Sequence, residues 1–139
     1  MAQPKYADVN VGDEPIKLET APISRTTLAL YAGASGDHNP MHIDIDYAKA
    51  AGQSDVFAHG MLSMAYLGRG VTSWVPQSAI RSFSTKFTKI TRVGEKIVVT
   101  GKVAEKMEAE GEKRVKLELT AANEKGEVKL AGEAVVALA

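Results

Sequence analysis

The stretch from Gly60 to Val75 constrains the fold most, because it has the length of a helix and almost no polar side chains. Between positions 56 and 80 the only formally charged residue is Arg69. A helix that is apolar on nearly all sides must be covered by other parts of the chain. Gly68 and Gly70 weaken the helix, but they would let a sheet approach it closely. We therefore expect a long buried helix here.

The chain after residue 80 shows the alternation of a sheet. Val115, Leu117 and Leu119 are separated by polar residues, which is the period of a strand with one buried face. Glycines with charged neighbours mark the turns between such segments. The predicted strands, which would form an antiparallel meander, lie near residues 80–87, 95–103, 115–120 and 130–138.

The first half of the chain carries the helices. A short extended piece is predicted over residues 16–22, and Ser24 is a good N-cap for a helix that ends near residues 33–36. A shorter helix is predicted over residues 46–51. Helices followed by an antiparallel sheet indicate an α+β fold, in which one long helix packs against a strongly curved sheet.

Composition excludes several classes of function. The chain has 139 residues and is expected to be one domain, 1–139, that is large enough to build its core without cross-links. It has no cysteine, so disulfides, thiolate nucleophiles and cysteine-based zinc sites are excluded. Lys plus Arg and Asp plus Glu are 17 each, which gives no sign of nucleic-acid binding. Without an apolar leader or span, we expect a soluble cytoplasmic protein.

The residues that can do chemistry are concentrated in one window before the sheet. All three histidines lie there, together with Asp37 and Asn39. Asp37 and His42 are placed on a turn-rich loop, where their side chains can point at one spot. The alternative is that Asp37 only stabilises a turn and His42 only packs. A metal site at His38 and His42 is disfavoured, because Pro40 between them prevents a shared helix face.

Two further positions in this half of the chain are candidates. Gly60 opens the central helix, where its backbone amide would be an unpaired donor next to the positive end of the helix dipole. It is a candidate oxyanion hole for a thioester carbonyl, or it only relieves crowding where loop meets helix. Ser35 and Ser63 are weak candidates as nucleophiles, because no Gly-x-Ser-x-Gly motif surrounds either of them.

The segment from Tyr31 to Ala48, which reads YAGASGDHNPMHIDIDYA, resembles the hydratase-2 motif of MaoC-like dehydratases, the (R)-specific enoyl-CoA hydratases. The following AHGML, from Ala58 to Leu62, is similar to the segment that opens the family's central helix. The run VTSW at residues 71–74 is most similar to the B-type subunit of the mycobacterial (3R)-hydroxyacyl-ACP dehydratase. The resemblance covers nearly the whole chain and implies a hot-dog fold.

This resemblance assigns roles to the candidate residues. Asp37 and His42 would hold one water and add it across the double bond of an enoyl thioester, giving an (R)-3-hydroxyacyl product. The Gly60 amide would bind the thioester oxygen. Asn39 and His59 would support the loop or bind substrate. No cofactor and no metal are implied.

One position departs from the family pattern. Some members have a serine on the central helix that hydrogen-bonds the catalytic aspartate, and this chain has Gly68 there. The support for Asp37 is therefore expected from a backbone group or from Ser63. The small residues Gly68 and Gly70 are also hypothesised to open room for the acyl chain.

Other functions and assemblies stay open. A hot-dog thioesterase would act on the same substrates, but its usual helix carboxylate is absent here. A non-catalytic subunit or a plain acyl-CoA binding module would not need the Asp37 and His42 pair. The resemblance implies a homodimer whose two sheets join edge to edge, with the substrate tunnel at the interface, or one subunit of a heterodimeric dehydratase. The carrier is coenzyme A or acyl carrier protein. Three basic residues could contact either carrier, or could simply belong to a solvated strand face: Arg81, Lys86 and Arg92.

Overall fold

The computed structural model describes residues 2–139 and places three α-helices before most of the sheet. Within these residues the sheet has five strands, and three short 3-10 turns join the elements. In chain order the elements are β1 (Ile16–Glu19), α1 (Arg25–Ser35), α2 (Ile45–Ala50), α3 (Gly60–Thr72), β2 (Ile80–Phe87), β3 (Val98–Ala109), β4 (Glu112–Ala122) and β5 (Val128–Leu138). The α+β class is confirmed.

The sheet is antiparallel throughout, in the order β1-β3-β4-β5-β2. β3, β4 and β5 form a meander of successive hairpins, as predicted. β2 departs from that prediction, because it pairs with β5 at the far edge instead of with β3. Strand alternation identifies a strand but carries no information on its neighbour, so this placement was not predictable from the pattern.

Helix α1 begins and ends where its capping residues predict. The side chain of Ser24 accepts a hydrogen bond from the backbone N–H of Thr27 at 3.0 Å, which satisfies one free donor of the first turn. Gly36 ends the helix with a φ of 77°, a left-handed conformation that glycine adopts without strain. The cap residues thereby fix the point at which the functional loop begins.

Helix α3 lies on the sheet with its small residues facing the strands. A Cβ atom built on Gly70 would come within 2.6 Å of Val99 Cγ1 and 3.1 Å of Ile16 Cγ2. Leu67 and Val71 are fully buried on the same side. Gly70 therefore permits close packing of helix on sheet, and the hypothesis that it opens room for an acyl chain is wrong.

The opposite side of α3 is exposed in the single chain. Met61 is 55% exposed, and Ala65, Arg69 and Thr72 continue this exposed stripe along the helix. The prediction of a buried helix therefore holds for the side that faces the sheet. Across residues 2–139, no helix is both long and apolar enough to cross a membrane.

Candidate functional site

The loop after α1 is shaped by two successive turns that use side-chain oxygens. The Asp37 carboxylate accepts a hydrogen bond from the Asn39 backbone N–H at 3.2 Å. The Asn39 side chain accepts one from the Met41 N–H at 3.1 Å and so caps the 3-10 turn Pro40–His42. Asp37 therefore does stabilise a turn, as the alternative reading of the sequence expects. Its carboxylate nevertheless remains exposed on the loop.

His42 is fixed by the main chain of a neighbouring segment. Its Nδ1 lies 2.7 Å from the carbonyl oxygen of Phe57, and its ring meets the Phe57 ring edge-on with centroids 5.1 Å apart. A carbonyl oxygen only accepts, so Nδ1 carries the proton and Nε2 presents a lone pair. The residue is 9% exposed. One nitrogen of His42 is therefore held by the main chain, and the other is available as a proton acceptor.

His59 links the two candidate acid–base residues. Its Nε2 donates to the backbone carbonyl of Asp37 at 3.1 Å, and its ring stacks on that of His42 with centroids 4.0 Å apart. The other nitrogen, Nδ1, is buried and has no hydrogen-bond partner among residues 2–139. Burial lowers the pKa of His59, which keeps its ring neutral beside His42.

The three side chains converge on a small space. A carboxylate oxygen of Asp37 and a ring nitrogen of each of His42 and His59 all lie within 4.8 Å of one another. One water can bridge such a separation with hydrogen bonds of about 2.8 Å. His42 Nδ1 and His59 Nε2 are each bound to a backbone carbonyl, and the second nitrogen of His59 is buried, so the Asp37 carboxylate and His42 Nε2 are the acceptors left for a ligand. This donor set therefore fits a shared water better than a metal ion.

A cavity of about 320 Å³ lies beside this cluster. His42, Gly60 and Ser63 line its polar end, and its apolar wall includes Phe57, Ala58, Phe87, Ile90 and Leu130. The volume is at the lower end of the range for small-molecule sites, and the mixture of a few polar groups with apolar walls is typical of them. Asp37 stands outside the lining, next to the polar end.

Gly60 presents its backbone at this polar end. No side chain caps the first turn of α3, and no group in the described part of the chain accepts a hydrogen bond from the Gly60 N–H. The amide is therefore free for a ligand, at the end of the helix where the dipole favours negative charge. A Cβ atom at Gly60 would lie 3.0 Å from Phe87 Cδ1, so the absent side chain keeps the approach open.

The expected support for Asp37 comes from the backbone and not from Ser63. Ser63 is buried, and its Oγ lies 3.4 Å from Thr91 Oγ1. Asp37 is instead held by the Asn39 amide and, through its carbonyl, by His59. Gly68 faces the ring of Phe83 at 3.5 Å and is not part of the cavity wall.

No sequence pattern could have identified some of the groups that shape this site. The carbonyl of Phe57 fixes the tautomer of His42, but a backbone acceptor can belong to any residue type. Thr91 and Leu130 reach the cavity from segments far along the chain. His38, in contrast, lies in the histidine window but is exposed and outside the cluster.

Comparisons with known proteins identify relatives of this chain. The family model for the MaoC like domain matches residues 8–125. An (R)-specific enoyl-CoA hydratase of Rhodospirillum rubrum is 33% identical over 107 residues, which are 73% of this chain and 73% of that protein. A mitochondrial 3-hydroxyacyl-[acyl-carrier-protein] dehydratase of Arabidopsis thaliana is 31% identical over 90 residues, which are 65% of this chain and 53% of the plant protein.

Solved structures give the same fold. The unliganded R-hydratase PhaJ1 of Pseudomonas aeruginosa has a TM-score of 0.84 at 29% identity, over 96% of this chain and 85% of that one. The ChsH1-ChsH2 complex of Mycobacterium tuberculosis has a TM-score of 0.80 at 20% identity, over 94% and 99% of the two chains, which supports the fold alone. With these neighbours the hot-dog fold is confirmed. Because the family model spans most of its length, the chain belongs to the MaoC-like domain family.

Proposed function

We propose that this protein is a hydro-lyase of fatty-acyl metabolism, which adds water to 2-enoyl thioesters and removes it from (R)-3-hydroxyacyl thioesters. The observation that carries the proposal is the meeting of the Asp37 carboxylate and the His42 ring beside an apolar cavity. Relatives with this activity in their names support it. The roles of individual residues follow from the contacts of each.

Asp37 and His42 act as the acid–base pair. The free Nε2 of His42 and the carboxylate are both acceptors, so together they orient one water by its two protons. In hydration the pair takes a proton as the water oxygen attacks C3, and a proton is delivered to C2. Dehydration is the reverse path, and neither direction needs a covalent intermediate.

The Gly60 amide acts on the thioester oxygen. Attack at C3 moves negative charge onto this oxygen, and a fixed N–H at a helix N-terminus stabilises that charge without reorganisation. The free donor and the open approach at Gly60 support this role. Ser63 and Thr91 also line the cavity, where their hydroxyls would contact the bound substrate.

The acyl group occupies the apolar part of the cavity. Its walls combine Phe57, Phe87, Ile90 and Leu130, and none of these carries a polar side-chain atom. The carrier stays outside, as coenzyme A or as acyl carrier protein. Arg81 is already paired with Glu112 at 2.8 Å, so its charge is partly neutralised on the sheet surface. Comparing crotonyl-CoA with carrier-bound crotonate distinguishes the two carriers.

The active form is a dimer in which a second copy covers the exposed side of α3. Met61 and Phe87 are large apolar residues that are 55% and 54% exposed; Phe87 lines the cavity, and Met61 follows the cavity residue Gly60 in the chain. Strand β2 has a free edge next to them, because it pairs only with β5. An unlike partner is the alternative, since one structural neighbour is a complex of two different chains.

The test follows loss of the conjugated enoyl absorbance of crotonyl-CoA by the purified protein. We expect hydration without release of free thiol, with (R)-3-hydroxybutyryl-CoA as the product. Asp37→Asn and His42→Ala should each lower kcat by about a hundredfold to ten-thousandfold, the usual contribution of a general acid or base. His38→Ala is the matched control, because His38 is exposed and outside the cluster.

Release of free thiol would identify a thioesterase instead. An equal loss in His38→Ala and His42→Ala would show that the loop, and not the Asp37 and His42 pair, carries the effect. If longer and carrier-bound enoyl substrates also gave no reaction, alone and with candidate partner subunits, the hydratase proposal would be rejected.

A further inference from the structure

Lys129 is a buried lysine at an irregularity of the sheet. Between β4 and β5, Ala121 pairs with Leu130 and Ala122 pairs with Val128, so Lys129 is opposite no residue. Successive residues of a regular strand face opposite sides, but Lys129 and Leu130 are both buried, at 2% and 1% exposure. The bulge therefore turns the lysine side chain inward.

The ammonium group of Lys129 is fully engaged. It donates to the backbone carbonyl of Ile90 at 2.9 Å and forms ion pairs with Glu95 at 3.1 Å and with Glu127. Three acceptors match its three N–H donors, so it has no lone pair or donor left for a substrate. Burial alone would lower the pKa of Lys129, but its bonds to Glu127 and Glu95 outweigh this and raise it. Lys129 is therefore not a catalytic base.

The backbone of Lys129 contacts the same neighbouring segment. Its carbonyl oxygen accepts hydrogen bonds from the Thr88 N–H at 2.9 Å, the Thr88 Oγ1 at 3.0 Å and the Lys89 N–H at 3.3 Å. Residues 88–90 follow the end of β2 and have no regular secondary structure. Lys129 thus holds this irregular segment at both ends, with its carbonyl at Thr88 and its ammonium at Ile90.

The segment that Lys129 holds is one wall of the cavity. Thr88, Lys89, Ile90 and Thr91 all line it, and so does Leu130, the next residue of β5. Glu95 strengthens the arrangement, because it also accepts from the Arg92 N–H at 2.6 Å. A buried ion pair contributes little net stability compared with an apolar side chain, so stability alone does not account for this lysine.

We propose that Lys129 is a positioning residue, which fixes the 88–91 wall and thereby sets the room for the acyl chain. The inference rests on the proposed hydratase function for its consequence on substrate choice. The anchoring of the wall itself can be measured without any substrate.

The experiment compares Lys129→Met with Lys106→Met in the full chain. Lys106 is a matched control, because its ammonium is held by two carbonyl oxygens, of Tyr6 at 2.8 Å and Val9 at 2.6 Å, on a segment away from the cavity. In Lys129→Met the backbone carbonyl at residue 129 remains, but the ammonium contact to the Ile90 carbonyl is lost; we expect amide hydrogen exchange at Thr88 and Lys89 to accelerate by about tenfold or more, because a segment held at one end only opens locally more often. Lys106→Met should leave it unchanged.

The kinetic readout is the ratio of kcat/KM for octenoyl-CoA to that for crotonyl-CoA. A displaced wall should change this ratio by about tenfold in Lys129→Met, since small misplacements at a site cost up to about a hundredfold. A merely structural role would lower both values equally. Unchanged exchange at Thr88 and Lys89, or an unchanged ratio, would overturn the proposal.

A second variant covers the case in which Lys129→Met does not fold. Glu95→Gln removes one charge that holds Lys129 but keeps a side chain of similar shape, and we expect a smaller change of the same kind in exchange and in the ratio. If it changes neither, the proposal is rejected. If the wild-type protein hydrates no enoyl thioester, the proposed function fails, while the exchange data still decide whether Lys129 anchors the wall.

Discussion

The two histidines of the site, His42 and His59, differ in what their second ring nitrogen can contact. His42 is 9% exposed and offers Nε2 to a water, whereas His59 is 1% exposed and leaves Nδ1 buried without a partner in the described chain. A backbone carbonyl selects the tautomer of each ring. Burial is the main cause that lowers the pKa of His59, and a charge on the stacked His42 ring would lower it further, so His59 favours the neutral form.

The depressed pKa of His59 predicts a dependence of stability on pH. The unfolded chain takes up a proton near the ordinary pKa of 6.5, and the folded chain takes it up only at lower pH. The unfolded state therefore binds more protons in this window, and the free energy of unfolding falls as pH decreases below about 6.5. His59→Gln should remove this part of the slope, measured by urea unfolding at a series of pH values.

His38→Gln is the control for that measurement, because His38 is exposed on the same loop. It should keep the slope of the wild-type protein. A slope that persists unchanged in His59→Gln would contradict the assignment of a buried neutral ring to His59.

Gly60 provides a second prediction for a single residue. Gly60→Ala places a Cβ atom 3.0 Å from the Phe87 ring, which must shift at the mouth of the cavity. We expect KM for crotonyl-CoA to rise by about tenfold, an effect of a displacement of less than an ångström. The double variant Gly60→Ala, Phe87→Ala should recover part of this loss. If the second substitution only adds to the defect, the ring is not the group that Gly60 accommodates.

At the scale of elements, two glycines on α3 have different reasons to be small. Gly70→Ala would bring its Cβ to 2.6 Å from Val99 in a fully buried contact between helix and sheet. Overpacking of this kind costs about 1–3 kcal/mol, so the free energy of unfolding should fall by that amount. Gly68→Ala reaches Phe83 at 3.5 Å, an ordinary contact, and should gain about 0.5–1 kcal/mol of helix stability.

Urea denaturation of both variants measures the difference directly. The opposite signs are the essential result, because a general intolerance of α3 to larger residues would destabilise both. Equal losses would show that helix and sheet do not pack at Gly70 as described.

The helices and strands were predictable where local chemistry determines them. Ser24 and Gly36 set the ends of α1, and the alternation of Val115, Leu117 and Leu119 identified β4. The longer extent of β3 and the pairing of β2 with β5 were not, because both depend on partners distant in sequence. Such features depend on tertiary contacts, and the local sequence pattern does not show which strands pair.

The candidate site was likewise predictable only in part. Asp37, Asn39 and His42 lie on one loop, so their motif and turn chemistry could be read directly. The contact of Lys129 with the cavity wall could not be predicted, because a lysine in a strand normally indicates a solvated face. Only the bulge at Ala121 and Ala122 reverses that expectation.

For the whole molecule, the position of the site raises the question of what covers it. The core lies between α3 and the sheet, whereas the exposed stripe is on the other side of the helix and consists of Met61, Ala65, Arg69 and Thr72. β2 is an edge strand of the sheet, and its last residue, Phe87, lines the cavity. Exposed apolar patches, rather than single side chains, mark interfaces, and here two large apolar side chains, Met61 and Phe87, are more than half exposed.

The proposed dimer predicts a result that the single-chain fold does not require. Met61→Glu places a charge on the exposed stripe, where solvent accepts it in an isolated chain but an apolar interface would have to desolvate it. We expect sedimentation velocity to show a monomer for Met61→Glu and a dimer for the wild-type protein. Hydratase activity should fall with the dimer, because in the proposed assembly the second copy would cover the cavity.

Leu30→Glu is the matched control, since Leu30 is 71% exposed on α1 and is not part of the stripe. It should leave the dimer and the activity intact. A wild-type protein that sediments as a monomer, yet hydrates crotonyl-CoA at full rate, would show that the cavity needs no second copy. A wild-type dimer that survives Met61→Glu would place the interface on another surface, and the free edge of β2 would then be the next region to test.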